Sequence, residues 1–514
     1  MLRVRQIKVK VEEKNILKYE IANKLKTNIN NIKEFKILKE SIDARKKPII
    51  YYVYEVAVEL NNYNYINKNN DIEEYIEEKY EIRKIKELDK PIIVGSGPAG
   101  LFAAYMLSEL GCNPIIIERG EKIEERVKSV EEFWKSGKLN INSNVQFGEG
   151  GAGTFSDGKL NTLVKDKENR CKKVFEIFIE NGAPSDILYV NKPHIGTDLL
   201  RKVIINMRNK IISNGGVFMY NTTLTDLIIE DNKLKGIIIN NNEKLYTDTL
   251  ILAIGHSARD TFNMLYKNKL NISSKPFAIG IRIMHPQDMI NKSQYGNNNL
   301  LPPASYKLTH KASNGRGVYS FCMCPGGFVV NASSESNMLA INGMSNHARD
   351  EECANSAIIV TISNKDFGNN PLDGIEYQKK LESLTYKIGN GVIPIQLYKD
   401  FKDNKVSTEF GEFKPCIKGK YTFSNLNEIF PKYIIDSLIE AIDAFDSKIK
   451  GFNRSDAILA AIESRTSSPI RIERDENFES NIKGIYPIGE GSGYAGGITT
   501  SAIDGLKIVE NLLK

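Results

Sequence analysis

The feature that most constrains the fold is an apolar strand that runs into a glycine-rich turn and then into a helix. The run Pro91–Val94 is typical of a buried strand, and the pattern of Ala99–Leu110 predicts a helix. Between them stands a GxGxxG turn made of Gly95, Ser96, Gly97, Pro98, Ala99 and Gly100. In such a turn the first glycine bends the chain and the second lets the backbone approach a pyrophosphate. The third lets the helix pack closely on the strand.

A second strand and an acidic residue follow at the spacing of a dinucleotide site. Pro114–Ile117 predicts the strand, and Glu118 ends it, 18 residues after Gly100. An acid at this position can accept hydrogen bonds from a ribose, and the amino end of the preceding helix offers free N–H groups to phosphates. Together these segments predict a dinucleotide-binding α/β domain that opens near residue 91.

The GxGxxG pattern occurs twice more, in less complete surroundings. No apolar strand precedes Gly148–Gly153, so that run fits a structural turn as well as a loop against a flat ring or ribityl chain. Gly491–Gly496 follows a strand at Gly484–Ile488 and precedes a helix predicted at Thr499–Leu513. This last occurrence predicts a second helix amino terminus directed at a ligand.

The first 88 residues predict a small, separate α+β domain. Strand-like runs at Arg3–Val11, Phe35–Leu38 and Pro48–Leu60 surround a helical pattern at Lys14–Leu25. We expect the polar stretch 62–70 to be a loop and the charged stretch 71–88 to be helical. This β-α-β-β-α order indicates a ferredoxin-like unit.

Charge gives no strong reason to expect a nucleic-acid partner. The first fifty residues hold 14 Lys and Arg against 6 acids, an excess that would suit an RNA surface. Residues 51–90 reverse it, with 6 basic and 10 acidic residues, so we interpret the basic face as solvated. The net charge of +6 is small for 514 residues.

Composition indicates a globular chain of two to four folding units, with 41% hydrophobic and 26% charged residues. No apolar run approaches the roughly 20 residues that a membrane helix needs. The six cysteines have no zinc-binding spacing, so we expect no metal site. Few cysteines and no signal peptide indicate a cytoplasmic protein.

Several segments resemble the two-dinucleotide-binding-motif flavoproteins, the group that includes glutathione reductase and the aromatic hydroxylases. The Gly95–Gly100 turn with Glu118 matches their ADP-binding turn. Leu252–Gly255 resembles a short strand that ends in glycine midway along such chains. Ile485–Glu490 resembles their carboxy-terminal FAD motif, although Glu490 replaces the usual aspartate.

A closer resemblance is to an uncharacterised bacterial family of FAD-dependent dehydrogenases. Five segments spread along the chain carry it: Ser41–Lys47, Val145–Leu160, Lys192–Asp198, Gly255–Arg259 and Gly489–Gly497. The resemblance implies an α/β fold in which a Rossmann-like FAD-binding domain contains an inserted mixed α+β substrate domain. It places the FAD domain at 89–275 and 451–514, the substrate domain at 276–450 and the small ferredoxin-like domain at 1–88.

The resemblance also implies which residues contact FAD. Backbone N–H groups of Ile498–Thr500 would face the N1–O2 edge of the flavin, although Thr499 can equally cap the helix. Asp157 and Lys159 fit either a flavin contact or a solvated turn. Besides the six residues of the first turn, the expected contacts are Glu118, Arg119, Gly150, Gly151, Gly153, Thr154, Asp157, Lys159, Leu224, Gly255, Gly489, Glu490, Gly496, Gly497, Ile498 and Thr499.

Two residues are candidates for catalysis. His256 follows the strand that ends at Gly255, where it could donate to the flavin or a substrate carbonyl, or supply a proton near neutral pH. A structural histidine is the alternative. Arg465 lies in the polar run Glu463–Pro469, which suits a carboxylate, a phosphate or the pyrimidine side of the flavin, or else an ordinary polar turn.

We expect Cys322 and Cys324 to be inert rather than a redox pair. Flavoprotein disulfide reductases use CxxC or CxxxxC spacing beside the first FAD motif, and a disulfide across one residue would be strained. Neither remaining GxGxxG run combines the strand, helix and acid of a second nucleotide domain. We therefore expect no separate nicotinamide domain: the reductant is NAD(P)H that visits the flavin face transiently, another protein, or the substrate itself.

Taken together, the sequence predicts an FAD-dependent oxidoreductase that exchanges a hydride between the flavin and a small organic substrate under the 276–450 domain. One alternative is a flavin-dependent monooxygenase of the aromatic hydroxylase type. The others are an RNA-modifying flavoprotein and a non-catalytic FAD-binding protein. No oligomeric state is predicted.

Overall fold

The computed structural model describes residues 1–63, 69–82, 84–162, 164 and 166–514. Most of the predicted loop at 62–70 therefore lies outside the described residues. Short 3-10 helices occur at Val11–Ile16, Ile29–Asn31, Ala152–Phe155, Ser185–Leu188 and Leu426–Glu428.

The amino-terminal unit is an antiparallel sheet covered by one helix. Its elements are β1 (Leu2–Lys10), α1 (Leu17–Leu25), β2 (Ile32–Asp43), β3 (Tyr51–Leu60) and β4 (Ile72–Glu74). The strand order β2-β3-β1-β4, with antiparallel neighbours, is that of a ferredoxin-like sheet.

The helix predicted over 71–88 is wrong. β4 extends the edge of the sheet, and the described residues after it, to Pro91, form no helix. Tyr80, Ile82 and Leu88 instead pack against the core of the next domain, so their apolar surface is buried there.

The next part of the chain contributes strands and helices in alternation. They are β5 (Ile92–Val94), α2 (Pro98–Glu109), β6 (Ile115–Ile117), α3 (Ile123–Ser136), α4 (Arg170–Glu180), α5 (Thr197–Ser213), β7 (Val217–Met219), β8 (Leu224–Glu230), β9 (Lys233–Ile239), β10 (Glu243–Tyr246), β11 (Leu250–Leu252), α6 (Arg259–Lys267) and β12 (Ile272–Ser274).

The long central part and the end of the chain follow. Their elements are β13 (Phe277–Pro286), α7 (Gln287–Tyr295), β14 (Thr309–Lys311), β15 (Gly317–Cys324), β16 (Phe328–Asn331), β17 (Ile341–Met344), β18 (Cys353–Ile362), α8 (Asn364–Phe367), α9 (Asp373–Ile388), β19 (Ile393–Leu397), α10 (Tyr398–Lys402), β20 (Ile417–Lys418), β21 (Tyr421–Phe423), α11 (Lys432–Phe445), β22 (Ile458–Glu463), β23 (Ile470–Ile472), β24 (Ile485–Pro487) and α12 (Ile498–Leu512).

A five-stranded parallel sheet is the centre of the nucleotide-binding part. Its order is β24-β11-β5-β6-β7, and every neighbouring pair is parallel. With β5 as the first strand this is the 3-2-1-4-5 order of a Rossmann-like sheet, which confirms the predicted fold class. β7 forms one edge of this parallel sheet. The strands that follow it, β8, β9 and β10, form a separate antiparallel meander.

A seven-stranded sheet of order β14-β15-β18-β13-β22-β19-β21 dominates the inserted part. The sequence assigned residues 451–514 to the FAD domain, whereas β22 pairs with β13 and β19 inside this sheet. All six residues of β22 are buried, as expected for an internal strand. We therefore propose that the chain returns to the FAD domain between β22 and β23.

Candidate functional site

A cavity of about 500 Å³ lies at the carboxyl ends of β5, β6 and β11. This edge is where open parallel sheets bind ligands, and the volume is within the ~300–1,000 Å³ of small-molecule sites. The predicted site residues that line it are Gly95, Gly97, Pro98, Ala99, Glu118, Arg119, Gly151, Gly153, Asp157, Lys159, Leu224, Gly255, His256, Arg465, Glu490, Gly496, Gly497 and Ile498.

Six predicted contacts do not line the cavity and instead make packing contacts or hydrogen bonds within the protein. These are Ser96, Gly100, Gly150, Thr154, Gly489 and Thr499. A Cβ at Gly100 would collide with the carbonyl oxygen of Gly95, and one at Gly489 would lie 2.7 Å from Cβ of Ala99. The Thr499 hydroxyl donates to the Leu160 carbonyl at 2.8 Å, which ties the start of α12 to another loop.

Glu118 joins the two glycine-rich segments. One carboxylate oxygen accepts from the N–H and the hydroxyl of Ser96, at 3.0 and 2.8 Å. The other accepts from the N–H groups of Gly120 and Gly148, both at 3.0 Å. Protein donors thus occupy both oxygens, whereas the sequence suggested a ribose partner.

Arg126 organises the glycine-rich loop, although no sequence motif indicated it. Its buried guanidinium makes five hydrogen bonds, all to backbone carbonyls, those of Asn144, Val145, Gly148, Glu149 and Gly151. Burial lowers the pKa of Arg126 to about 9, despite the nearby carboxylates of Glu118 and Glu149. These hydrogen bonds fix the conformation of the loop and place Gly151 in contact with Gly97. A Cβ on Gly151 would lie 2.9 Å from the Gly97 Cα.

Arg119 and Leu224 mark the end of the cavity near the meander. The Arg119 guanidinium pairs with Asp260 at 2.9 Å and lies 4.4 Å from the centre of the Phe147 ring. Leu224 is buried and opens on the cavity at the start of β8. This end combines an apolar wall with an arginine.

His256 lies on the wall of the cavity. Its Nδ1 lies near a carboxylate, 3.4 Å from that of Glu490, which is therefore a partner of the histidine. Its Nε2 is buried and has no hydrogen-bond partner among the described residues. A buried polar atom that faces a cavity without a partner indicates that a ligand atom completes its hydrogen bond.

Glu463 is a second group on the cavity wall that the sequence did not single out, since it was named only as the start of the polar run around Arg465. It lines the cavity, is 3% exposed, and accepts from Nε of the buried Arg282 at 2.7 Å through one oxygen. Burial raises the pKa of Glu463, while Arg282 and His256 oppose the shift. The sequence did not predict its position at the end of β22, because residues 451–514 were all assigned to the FAD domain.

Arg465 lines the cavity but uses its guanidinium inside the protein. It makes two hydrogen bonds to Glu382, at 3.0 and 2.8 Å, and donates to the hydroxyls of Ser257 and Ser334. Glu382 is fully buried and also pairs with Arg259. These bonds indicate a positioning role for Arg465 rather than the predicted catalytic one.

Asp157 and Lys159 form a charged group on the wall formed by the loop after the glycine-rich run. Asp157 is 1% exposed, accepts two hydrogen bonds from Arg349 and lies 3.2 Å from Nζ of Lys159. Burial would raise the pKa of Asp157, but Lys159 and Arg349 lower it. These contacts exclude the solvated turn for Asp157.

Cys322 lines the cavity, and Cys324 lies behind it, 3.7 Å from Nζ of Lys159. Both are free thiols, and burial raises the pKa of Cys322. The raised pKa disfavours the thiolate of Cys322, and the inertness of the pair stays a prediction.

Within the described part of the chain, no helix is long and apolar enough to cross a membrane. The same residues contain no group of three or more His, Cys, Asp or Glu side chains arranged to hold a metal ion.

Comparison with known proteins defines the class and then the family. A family described as "FAD binding domain" matches residues 90–131, and one described as "FAD-dependent protein, C-terminal domain-like" matches residues 276–466. A domain of unknown function matches residues 1–59. The protein is thus a flavoprotein with a Rossmann-like domain.

An uncharacterised protein from Clostridium beijerinckii is 46% identical over 528 residues, which cover 100% of this chain and 98% of that protein. The chain and this relative therefore belong to one family. This confirms the resemblance to the uncharacterised FAD-dependent dehydrogenases.

Two of the solved structures that match the chain are distant from it. The FAD complex of glycerol-3-phosphate dehydrogenase from Bacillus halodurans is 12% identical, with a TM-score of 0.34, over 83% of this chain and 65% of that chain. A geranylgeranyl bacteriochlorophyll reductase-like protein from Thermoplasma acidophilum is also 12% identical, with a TM-score of 0.34. The match covers 82% of this chain and 76% of that chain.

Proposed function

We propose that the protein is an FAD-dependent oxidoreductase that exchanges a hydride between the bound flavin and a small organic substrate. One observation carries the proposal: a single cavity connects the Gly95–Gly100 turn at the start of α2 with the amino end of α12. Helix amino ends at both extremes suit an anionic group at each.

The cavity's lining fits an extended dinucleotide. Gly97, Pro98 and Ala99 would hold the pyrophosphate, and Arg119 and Leu224 would lie beside the adenosine. Gly496, Gly497 and Ile498 would face the flavin ring, where their N–H groups favour negative charge. When bound, FAD supplies the two-electron chemistry, and the protein supplies orientation and proton handling.

We assign proton handling to His256. The Glu490 carboxylate at Nδ1 orients the ring, and Nε2 is left free to exchange a proton with a ligand atom in the cavity. Glu463 lies on the same wall, where burial raises its pKa and the charges of Arg282 and His256 lower it. His256 and Glu463 thus place two titratable side chains on one wall of the cavity.

The substrate would enter between the FAD domain and the inserted sheet. Phe321, Cys322 and Asn342 of the inserted part line the cavity together with Lys159 and Glu463. These groups offer one aromatic face and several hydrogen-bonding atoms, as expected for a small polar organic molecule.

The test compares two glycine-to-alanine variants. A Cβ at Gly97 would contact only the Cα of Gly151, at 3.7 Å, and Gly97 has an ordinary φ of −70°. A Cβ at Gly317, outside the cavity, would also find its nearest atoms at 3.7 Å, on Thr361. Because both positions have room for a Cβ, neither change should disturb the fold. A difference in FAD binding between the two variants would therefore come from contact between the Gly97→Ala side chain and FAD.

We expect wild-type protein and Gly317→Ala to bind one FAD per chain, and Gly97→Ala to fold but to bind FAD at least tenfold more weakly. The bound flavin should then be reduced by two electrons and reoxidised by a ketone or enoate substrate without oxygen. Full FAD content in Gly97→Ala would contradict the assigned site. A requirement for oxygen in turnover would instead favour a monooxygenase.

A further inference from the structure

Two basic side chains lie together beside the cavity, outside the lining already described. Arg471 is the central residue of β23, and Lys275 follows β12, the strand that pairs with it. The Lys275 N–H donates to the Pro469 carbonyl at 2.8 Å, which fixes the position of its backbone. Both side chains belong to half-buried residues, and Lys275 interacts with Glu490 of the cavity wall.

Neither cation forms an ion pair with an acid among the residues that the structure describes. The Nε of Arg471 is buried and has no hydrogen-bond partner there. The adjacent acid, Glu473, is hydrogen-bonded to Ser273. The neighbouring Arg474 differs, because it makes two hydrogen bonds to Asp504.

This arrangement costs free energy unless an anion completes it. Partial burial lowers the pKa of Lys275, the charge of Arg471 lowers it further, and Glu490 only partly compensates. Like charges that are half-buried and close together are unfavourable, so they are typical of binding sites rather than of packing.

An aromatic ring, that of Tyr494, stands next to Arg471 and the neighbouring Arg474. The Tyr494 ring centre is 4.9 Å from the Arg471 guanidinium and 4.0 Å from that of Arg474, and the residue is 38% exposed. Two residues later Gly496 lines the cavity. A ligand that contacts Tyr494 would thus lie near the part of the cavity that we assign to the flavin ring.

We propose that Lys275, Arg471 and Tyr494 form a subsite that binds a phosphate of a nicotinamide dinucleotide, the electron donor of this enzyme. The proposal rests on the proposed function, because it supplies the reductant for the flavin. It also explains how a chain with one predicted dinucleotide-binding fold can use such a donor.

The electron balance is simple. The dihydronicotinamide gives one hydride, two electrons with one proton, to the oxidised flavin, and leaves as oxidised nicotinamide. The second proton of fully reduced flavin comes from solvent. No other oxidant or reductant is needed for this half-reaction.

The test measures nucleotide binding directly. FAD-loaded protein is titrated with NADP⁺ and with NAD⁺ by calorimetry, and is separately mixed with NADPH and NADH without oxygen while the flavin absorbance is followed. The variants are Arg471→Ala, Lys275→Ala and the charge-preserving Arg471→Lys. Lys267→Ala on α6, an exposed residue, is the matched control.

We expect at least one nucleotide to bind the wild type, with a Kd at least tenfold higher in Arg471→Ala and Lys275→Ala. Arg471→Lys should recover part of the loss, and Lys267→Ala should match the wild type. FAD content and the reduction rate at saturating nucleotide should stay within twofold. Added salt should raise the wild-type Kd, since the contact is between charges.

Two results would overturn the subsite: FAD-loaded wild type that binds neither nucleotide, or equal Kd values in the wild type and both alanine variants. A protein that takes up no FAD would contradict the proposed function instead. The two failures are therefore distinguishable.

Discussion

The Arg465 guanidinium and the Glu382 carboxylate form an ion pair with two hydrogen bonds, of 3.0 and 2.8 Å, at the boundary between the inserted part and the FAD domain. Glu382 lies on α9, and Arg465 lies between β22 and β23. Because Arg465 also donates to Ser257, the pair fixes the segment that carries His256. A residue that looked catalytic in the sequence thus holds the site together.

Replacing Glu382 should destabilise the protein strongly. Glu382→Gln leaves Arg259 and Arg465 without their buried carboxylate, which costs about 3–5 kcal/mol of unfolding free energy. The matched control is Glu376→Gln on the exposed side of the same helix, which should cost about 0–1 kcal/mol. Denaturant unfolding measures the free energy of unfolding of both variants. If Glu382→Gln loses no more than about 0–1 kcal/mol, as expected for Glu376→Gln, the buried carboxylate adds no stability beyond that of a surface acid.

The glycine-rich loop should depend on the fork geometry of Arg126. Arg126→Lys keeps the charge but has three donors for five carbonyls, so at least two carbonyls lose their partner at about 1–3 kcal/mol each. We expect a lower melting temperature and FAD affinity reduced at least tenfold. Arg201→Lys, which alters another arginine near the same Phe155 ring, should change FAD affinity little.

The parts of the fold that were predictable are those with strong local signals. The β5–α2–β6 unit follows directly from an apolar run, three glycines and a helical pattern, and its bounds agree within about two residues. By contrast, β22 and a strand of the FAD domain have the same buried apolar pattern, so the sequence did not distinguish their sheets. The helix expected over 71–88 failed because its apolar residues pack on another domain.

The part of the candidate site that the sequence predicted is the part formed by backbone groups at helix starts. Glycines at the two helix starts line the cavity as expected. The roles of Arg126, Glu382 and Glu463 were not predictable, because isolated charged residues acquire a role only through partners distant in sequence. The role of Glu118 was not predictable for the same reason, since its hydrogen-bond partners include Gly148, 30 residues away in the sequence.

Acid should weaken the fold through buried histidines. Burial lowers the pKa of His285 to about 4 and, with Arg349 nearby, that of His194 to about 3, against about 6.5 in the unfolded chain. The unfolded chain binds more protons in that window, so stability is lost as the pH falls below about 6.5. For His285 the loss between pH 7 and pH 5 is about 2 kcal/mol.

The variant His285→Gln isolates this effect. Glutamine can still donate to the Phe452 carbonyl, which His285 contacts at 2.7 Å, but it does not titrate. Urea unfolding at pH 7 and pH 5 should show a smaller pH dependence in the variant. An unchanged difference between the two pH values would mean that His285 titrates normally.

His256 should affect proton transfer and not FAD binding. In His256→Gln a polar side chain is kept but the titratable ring is lost, and loss of general acid–base catalysis typically costs about 10²–10⁴ in rate. We expect full FAD content and a slower, less pH-dependent reoxidation by substrate in stopped flow. Glu490→Gln should have a smaller effect of the same kind, because the role that we propose for Glu490 is to orient the ring. Wild-type rates in His256→Gln would exclude the proton role.

The thiols should react in an order that follows their pKa values. A hydrogen bond with Cys353 lowers the pKa of the half-buried Cys416, whereas burial raises that of Cys322. Because the thiolate is the nucleophile, limited iodoacetamide treatment at pH 7.5 should modify Cys416 before Cys322. Peptide mass mapping measures this order, with Cys416→Ser as the control that removes the fast site. Faster labelling of Cys322 would identify a reactive thiol in the cavity and contradict the prediction that Cys322 and Cys324 are inert.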